Sequence, residues 1–377
     1  MIFEIIQSLF FLFLPLLIIK LTNKFKPLNM LGPVVLCYIV GILLANNPFI
    51  QIDKSLSSNI FEIAVPLALP LILFQTDIKG WLKSSRSTVT SFFLVIISAF
   101  LASVIASLVF SSTVDEYWKI GGMLVGCYTG GTPNLMAIGL GLNVNSNTIV
   151  LVNAADTAVG GLYFLFTITF SKRIFSKYLP EYKSTSEKYE GTIPNPANEK
   201  YTYSIKGMAV ALFISIMIAS AGIGLSFILT GQLIIWIIIL VISTFAIIMS
   251  LFPQIRGIKG TYEFGQYILL IFSFAIGATI NIKDFFSSST GIFPFVFLVV
   301  FLAVVIHFIL CVIFKIDVDT MIITSIAGIF GPVFIGPVAN SLKNKEIIIA
   351  GITSGLIGYA VGNYLGFITA MFIKLII

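Results

Sequence analysis

Apolar runs long enough to cross a bilayer recur along the whole chain. The first six fall at roughly 2–22, 29–47, 58–76, 88–112, 117–142 and 147–170. The next six fall at roughly 205–230, 232–253, 262–281, 292–314, 319–342 and 346–375. A helix of about 20 residues spans the roughly 30 Å hydrocarbon layer, so each run predicts a membrane helix. Between the sixth and seventh runs, "SKRIFSKYLPEYKSTSEKYEGTIPNPANEKYTYSIK" (Ser171 to Lys206) carries charge, Pro, Ser and Asn with no apolar period. That composition predicts a hydrophilic connector. The pattern therefore divides the chain into residues 1–170, a loop at 171–204, and residues 205–377, with six hydrophobic elements in each half.

The halves also match each other at an offset of about 200 residues. "IFEIAVPLALPLILFQTDIKGWL" from Ile60 parallels "YEFGQYILLIFSFAIGATINIKDFF" from Tyr262, setting Glu62 against Glu263. "FLASVIA" from Phe100 parallels "FLAVVIH" from Phe301, "TGGTPN" from Thr129 parallels "GPVFIGP" from Gly331, and "TAVGG" from Thr157 parallels "YAVGN" from Tyr359. Four matches in one order point to an internal duplication, a feature of secondary transporters.

Charge placement decides how the halves are oriented. If all twelve elements crossed, neither orientation would gather the Lys and Arg residues on one side. If elements five and eleven instead enter and leave on the same side, each half crosses five times and the second half is inverted. With the N-terminus outside, the cytoplasm then receives Lys20, Lys24, Lys26, Lys79, Lys83, Arg86, the seven basic residues of the connector, Arg256, Lys259, Lys315, Lys343 and Lys345, or 18 of 22. Only Lys54, Lys119, Lys283 and Lys374 remain outside. The expected fold is an all-α polytopic membrane protein. It has two inverted repeats of five spanning helices, each with one broken or re-entrant helix, about ten spans and two hairpins in all.

Elements five and eleven are the ones whose backbone is broken. Hydrocarbon does not tolerate exposed irregular backbone, so such breaks must be buried in protein or face a cavity. In "YTGGTPNLMAIG", Gly130 and Gly131 permit a tight turn. Thr132 suits an N-cap, and Pro133 suits the first helical position, where its missing N–H costs nothing. Gly331-Pro332 and Gly336-Pro337 supply the corresponding bend and restart in element eleven. Two half-helix N-termini meeting from opposite sides would favour an anionic group, with free carbonyls nearby for a cation. Asn134 and Asn340 follow the two breaks and are placed to contact a substrate.

Few charged residues lie inside the runs. Asp156 is ten residues into "NTIVLVNAADTAVGG", near the midplane, where a carboxylate costs at least roughly 2.5–3.5 kcal/mol and should face the bundle interior. Asn153 is one turn away on the same face. Asp156, Asn153, Thr129 and Thr132 with hairpin carbonyls make a candidate Na⁺ site, or Asp156 takes a proton; a protonated Asp bridging helices is the plainer alternative. Glu62 and Glu263 hold equivalent places, and Thr353, Ser354, Tyr359 and Asn363 add uncharged donors in the last element. His307, the only histidine, fits a buried helix contact better than a ligand.

Composition narrows the function. The chain has 58% hydrophobic and 10% charged residues and a mean hydropathy of +1.06. In such a membrane chain the net charge of +6 says nothing of nucleic acid, because its placement in loops matters more than its total. Cys37, Cys127 and Cys311 are far apart within apolar runs and suggest neither a disulfide nor a metal site. There is no phosphate loop, no HExxH and no Gly-x-Ser-x-Gly elbow. An enzyme or an ATP-driven pump is therefore not expected.

"YTGGTPNLMAIG", "NAADTAVGGLYF", "FGQYILLIFSFAIGA", "GPVFIGP" and "GLIGYAVGNYLG" resemble the YjcL-like bacterial membrane proteins, a family of unknown function, over nearly the whole chain. That family is similar to the superfamily of bile-acid/sodium symporters, cation–proton antiporters, and glutamate or citrate sodium symporters. The resemblance implies an elevator-like transporter in the bacterial inner membrane and a homodimer. A core from 58–170 and 262–377 would carry substrate, and a panel from 1–57 and 205–261 would dimerise. Thr129 to Asn134, Gly331, Pro332, Gly336, Pro337, Asn340 and Asn363 would bind a small anionic or zwitterionic solute. Asp156, Asn153, Thr353, Ser354, Glu62 and Glu263 would couple Na⁺ (or H⁺) to its uptake, with no other cofactor. The alternatives are a cation/proton antiporter, disfavoured by the lack of an adjacent carboxylate pair, and a channel.

Overall fold

The structure is a computed structural model that describes residues 2–82, 85–182, 204–281, 291–344 and 346–377. The middle of the connector, with Lys83, Lys283 and Lys345 of the charge count, lies outside the described residues. Every regular element among the described residues is helical. The first half runs α1 (Ile2–Lys24), α2 (Lys26–Ala45), α3 (Lys54–Leu73), a short α4 (Ile78–Leu82), α5 (Arg86–Phe110), α6 (Tyr117–Gly130), α7 (Thr132–Gly141) and α8 (Ser146–Phe166). A π-helical turn at Thr167–Ser171 and α9 (Lys172–Phe175) prolong α8 beyond the expected limit at 170. The second half runs α10 (Ile205–Thr230), α11 (Ile235–Ser250), α12 (Pro253–Arg256), α13 (Thr261–Gly277), α14 (Ile292–Ile313), α15 (Val318–Phe330), a 3-10 turn at Gly331–Phe334, α16 (Ile335–Leu342) and α17 (Ile347–Ile376).

Helix starts follow local chemistry. The Asp53 carboxylate accepts from Ser55 N and Leu56 N at the head of α3, and Asp317 accepts from Thr320 N at the head of α15. Eight stretches of the described residues are long and apolar enough to cross a membrane, and the apolar segments Gly32–Ala45 and Ile235–Ser250 are shorter. The chain is thus a multi-pass membrane protein. Among the elements, α3 packs on α13, α5 on α14 and α6 on α17. Helix α2 also packs on α13, and α11 on α3.

Long-range contacts sort the helix ends into two sets. At one end of the bundle Gln7 bonds Asp53 O and Ser57, Asn46 bonds Ile280 O, and Lys374 lies over the Trp118 ring. At the other end Arg256 pairs with Asp77, Ser87 bonds Asp317, and Val318 N bonds Pro180 O. Helix α5 links the two sets, since Ser87 lies near its start and Val114, just past its end, packs under Gly291.

Both broken elements fold back on themselves. Lys119, near the start of α6, donates to Asn143 O (3.0 Å), just past the end of α7, and Asn145 N donates to Glu116 (3.3 Å). Ile138 of α7 lies against Gly126 of α6, so the two arms run side by side. In the second element, Asn344 donates to Asp319 (2.9 Å), joining the end of α16 to the start of α15. The stretch 318–342 has the length of a span, yet its two ends are neighbours. The first hairpin opens beside the end of α5 and the second beside its start, so they enter from opposite ends of the bundle.

The reversals occur at two glycines. Gly131 (φ 102°, ψ −175°) and Gly331 (φ 70°, ψ −161°) adopt conformations closed to residues with a Cβ. Pro133 and Pro332 then restart helical winding where an N–H is not needed. In the second hairpin winding resumes at once as the 3-10 turn. Gly336 and Pro337 therefore lie in the first turn of α16, past the bend itself.

A row of glycines on α17 brings the hairpins into backbone contact. A methyl on Gly358 would overlap the Thr129 carbonyl, one on Gly366 would meet Gly122 O at 2.7 Å, and one on Gly355 would meet Pro332 N at 2.8 Å. Gly161, on the outer face of α8, has nothing within 4 Å. Replacing Gly358 by Ala should lower stability by about 3 kcal/mol, because backbone on both sides cannot yield. Gly161→Ala should be neutral or slightly stabilising. Thermal unfolding in detergent tests this contrast, and equal transitions for the two variants would remove the close crossing as a determinant of the fold.

Candidate functional site

The two hairpin tips meet. A methyl on Gly131 would lie 3.6 Å from both Gly331 N and Phe330 C, and one on Gly331 would lie 3.2 Å from Gly130 O. Helix α17 passes behind the junction, and the Tyr359 ring touches both bends. The Tyr359 hydroxyl is 3.1 Å from that of Tyr262 on α13, and their rings are 6.1 Å apart. Irregular backbone is thus buried within protein, as the hydrocarbon surroundings demand.

Helix α8 passes both tips. Beside the first, Asp156 accepts a weak bond from the Cys127 thiol (3.7 Å) and neighbours the Tyr128 hydroxyl. Beside the second, Gly160 lies under the Phe330 ring, the Tyr163 ring stacks on Phe330 (6.3 Å, 8°), and the Tyr163 hydroxyl bonds Ser325 (2.6 Å). Asp156 itself is half-buried.

Several buried polar atoms here lack a protein partner. They are both amide atoms of Asn153, the Tyr128 and Thr129 hydroxyls and Asn134 Oδ1. Asn134 Nδ2 is occupied, donating to Gly126 O (3.3 Å) and Gly358 O (3.2 Å). Unpaired groups at such depth are costly unless something bonds them. The described Lys and Arg residues lie near helix ends, so no fixed cation reaches the junction.

The residues expected at the site separate into three sets. Thr129, Gly130, Gly131, Thr132, Pro133, Asn134, Gly331 and Pro332 form or adjoin the two bends, with Asp156 and Asn153 beside them. A second set makes side-chain bonds away from the bends: Ser354 accepts from Trp81 Nε1 (3.1 Å), Thr353 bonds back to Ile349 O (2.8 Å), and Asn363 donates to Ser243 on α11 (3.0 Å). A third set points outward. Glu62 and Glu263 are exposed on α3 and α13, and Pro337 and Asn340 are exposed on α16. The two glutamates lie in the first halves of α3 and α13, and both side chains are exposed. Tyr262 went unnoticed because its neighbour Glu263 held the charge, and Cys127 because it resembles an inert apolar residue.

A separate cavity of about 780 Å³ lies at the base of the second hairpin, lined by Lys172, Arg173, Tyr182, Asp319, Ser341 and Lys343 among others. It is distant from the tips, whose unpaired polar atoms mark them as the stronger candidate. Here the Ile168 carbonyl, within the π-helical turn, accepts from Ser341 (2.9 Å). Lys172 donates to Leu342 O (3.1 Å) and pairs with Asp319 (2.8 Å). The Asp319 side chain is 4% exposed and that of Lys172 47%. Tyr182 donates to Glu346 (3.4 Å), and partial burial together with that carboxylate pushes its pKa up to about 12, keeping it a neutral donor.

Residues 10–376 match the family described as "Protein of unknown function (DUF819)". The chain is also similar to "Uncharacterized membrane protein YjcL" of Bacillus subtilis (strain 168), with 23% identity over 362 residues covering 92% of this chain and 91% of that protein.

The Lys172–Asp319 pair yields a directional prediction. Lys172→Met leaves a buried carboxylate with only Asn344 and should cost about 2–3 kcal/mol, below the full buried-pair range because Lys172 is half exposed. Adding Asp319→Asn should restore part of the loss. Unfolding temperatures of the wild type, single and double variants decide it, and a double variant no better than Lys172→Met would exclude the pair.

Proposed function

This chain belongs to the DUF819 family, and from that premise and the junction of its two hairpin tips we propose that it is a secondary active transporter. The observation that carries the reading is the meeting of two backbone breaks deep in an apolar bundle, beside Asp156, Asn153, Thr129 and Asn134. The start of α7 offers backbone amide donors for a carboxylate, and the unpartnered Asn134 oxygen in its first turn offers a further acceptor for a donor group of the solute or for a cation. Asp156, Asn153 and Thr129 offer oxygens for a cation. With no Lys or Arg nearby, a bound anion would need a co-bound positive charge. That requirement favours Na⁺-coupled symport of a small carboxylate-bearing solute, such as an organic acid, amino acid or short peptide.

The architecture supports alternating access. Hairpins opening at opposite ends would let each tip face one side of the membrane in turn. The matching contacts of α2 with α13 and α11 with α3 support an inverted repeat of ten spans and two hairpins. We place α1, α2, α10 and α11 in a panel that dimerises and the remaining helices in the moving core. The setting would be a bacterial inner membrane, with the N-terminus outside. Kinship to the sodium-symporter superfamily belongs to this proposal and rests on the resemblance of the sequence motifs and on the two broken hairpins.

Two experiments test it. Thermal stability of the purified protein should rise with one class of carboxylate solute in Na⁺ but not in K⁺, by about 2.7 kcal/mol at a hundred times the dissociation constant. In Asp156→Asn the Na⁺ requirement should disappear while the protein still folds. Shifts with cations or pH but no solute would replace symport with cation/proton antiport. For topology, single cysteines at positions 54 and 177 should react with impermeant reagents from opposite faces of intact cells or inverted vesicles. The native Cys37, Cys127 and Cys311 are buried and give a low background. Labelling of both positions from one face rules out the inverted arrangement.

A further inference from the structure

The outer face of α8 and α14 carries a groove of about 330 Å³ that the transport reading does not use. We propose that it binds one anionic phospholipid from the leaflet on the α9 side, an acyl chain lying in the groove and the headgroup on Lys177 and Lys315.

The lining fits a hydrocarbon chain. Leu162, Tyr163 and Phe166 on α8 face Phe297, Phe301 and Phe308 on α14, and apart from Tyr163 the side chains around the groove are pure hydrocarbon. The single polar atom is committed, because the Tyr163 hydroxyl bonds Ser325. From Phe297 to Phe308 the helix rises about 16 Å, close to the roughly 15 Å depth of one leaflet.

One end of the groove is polar. Phe308 packs against Phe175 (4.8 Å) and against Tyr178 (5.9 Å), whose body is 66% exposed, the position of an interfacial tyrosine. Lys177 neighbours Tyr178, and Lys315 follows Phe308 by two helical turns. The Val318 N to Pro180 O bond (3.0 Å) joins these two segments at the same end. Both lysines are exposed and have no ion-pair partner among the described residues. Of the acids in these two segments, Asp317 bonds Ser87 and caps α15, and Glu181 lines the cavity at the hairpin base. Lysines with long apolar stems at the membrane boundary attract anionic headgroups.

The site touches the functional junction through one residue. Tyr163 forms the floor of the groove and also stacks on Phe330 at the second tip. A chain seated there holds Tyr163 in that stacked position and thereby steadies the second hairpin.

Native mass spectrometry of the full chain, delipidated and then offered phosphatidylglycerol or phosphatidylcholine of identical chains, tests the proposal. The expected result is one phosphatidylglycerol retained per chain, at least tenfold over phosphatidylcholine. Lys177→Gln with Lys315→Gln should bring the two lipids level, and Val304→Trp, which fills the groove, should lower retention of both. Lys54→Gln, at the other end of the bundle, should change nothing. Equal retention of both lipids by the wild type, or unchanged selectivity in the double lysine variant, overturns the proposal. So does a lipid-free dimer that Val304→Trp dissociates, which would assign the groove to a second copy. Exposed Lys→Gln changes leave the fold intact, so the selectivity measurement does not depend on the groove-filling variant.

Discussion

Contact between the Thr129 carbonyl and the backbone at Gly358 is the constraint from which the rest of the structure follows. Breaking a helix inside hydrocarbon exposes amides and carbonyls that lipid cannot bond, at several kcal/mol each. The chain meets this by burying both breaks against α17, which must approach without side chains in the way. Gly355, Gly358, Gly362 and Gly366 clear one face of α17 for that purpose. Asn134 then bonds Gly126 O on its own hairpin and Gly358 O on α17, tying arm to support. Remove the close crossing and the bends at Gly131 and Gly331 lose their shelter, since neither could survive facing lipid.

Much of this architecture was legible before any coordinates, because it depends on local chemistry and on counting. Thr132-Pro133 after two glycines has one sensible structural use, and the placement of the basic residues favours an odd number of crossings per half. Both point to folded-back elements, and the ends of α6–α7 and α15–α16 do lie side by side. What could not be read was register across helices. The glycines of α17 are visible in the sequence, but nothing local tells which carbonyl each will meet. Tyr262 and Tyr359 are 97 positions apart, and only the tertiary fold brings their hydroxyls together. The two glutamates illustrate the opposite error. Matching places in a duplicated sequence imply matching positions, but they do not say which way a helix face turns, and both side chains face outward.

The two halves are not mechanically equivalent. At the base of the first hairpin, Lys119 and Glu116 bond partners within that hairpin and at the head of α8, closing the loop on itself. At the base of the second, Ser341 and Leu342 are held by Ile168 and Lys172, which belong to the extension of α8 from the other half. The second hairpin is therefore attached to α8 at both its base and its tip, where Tyr163 meets Phe330 and Ser325.

Helix α8 thus carries Asp156 against one tip and the anchors of the other hairpin along the same rod. A cation drawn to Asp156 would load α8 beside the first tip, and the load would reach the second hairpin through Tyr163 at one level and Lys172 at another. In the proposed transporter, this shared helix is the physical reason that ion and solute could act together. Neither tip can shift against α8 without disturbing contacts that the other depends on. Coupling then requires no direct contact between ion and solute, only a stiff helix packed against both bends.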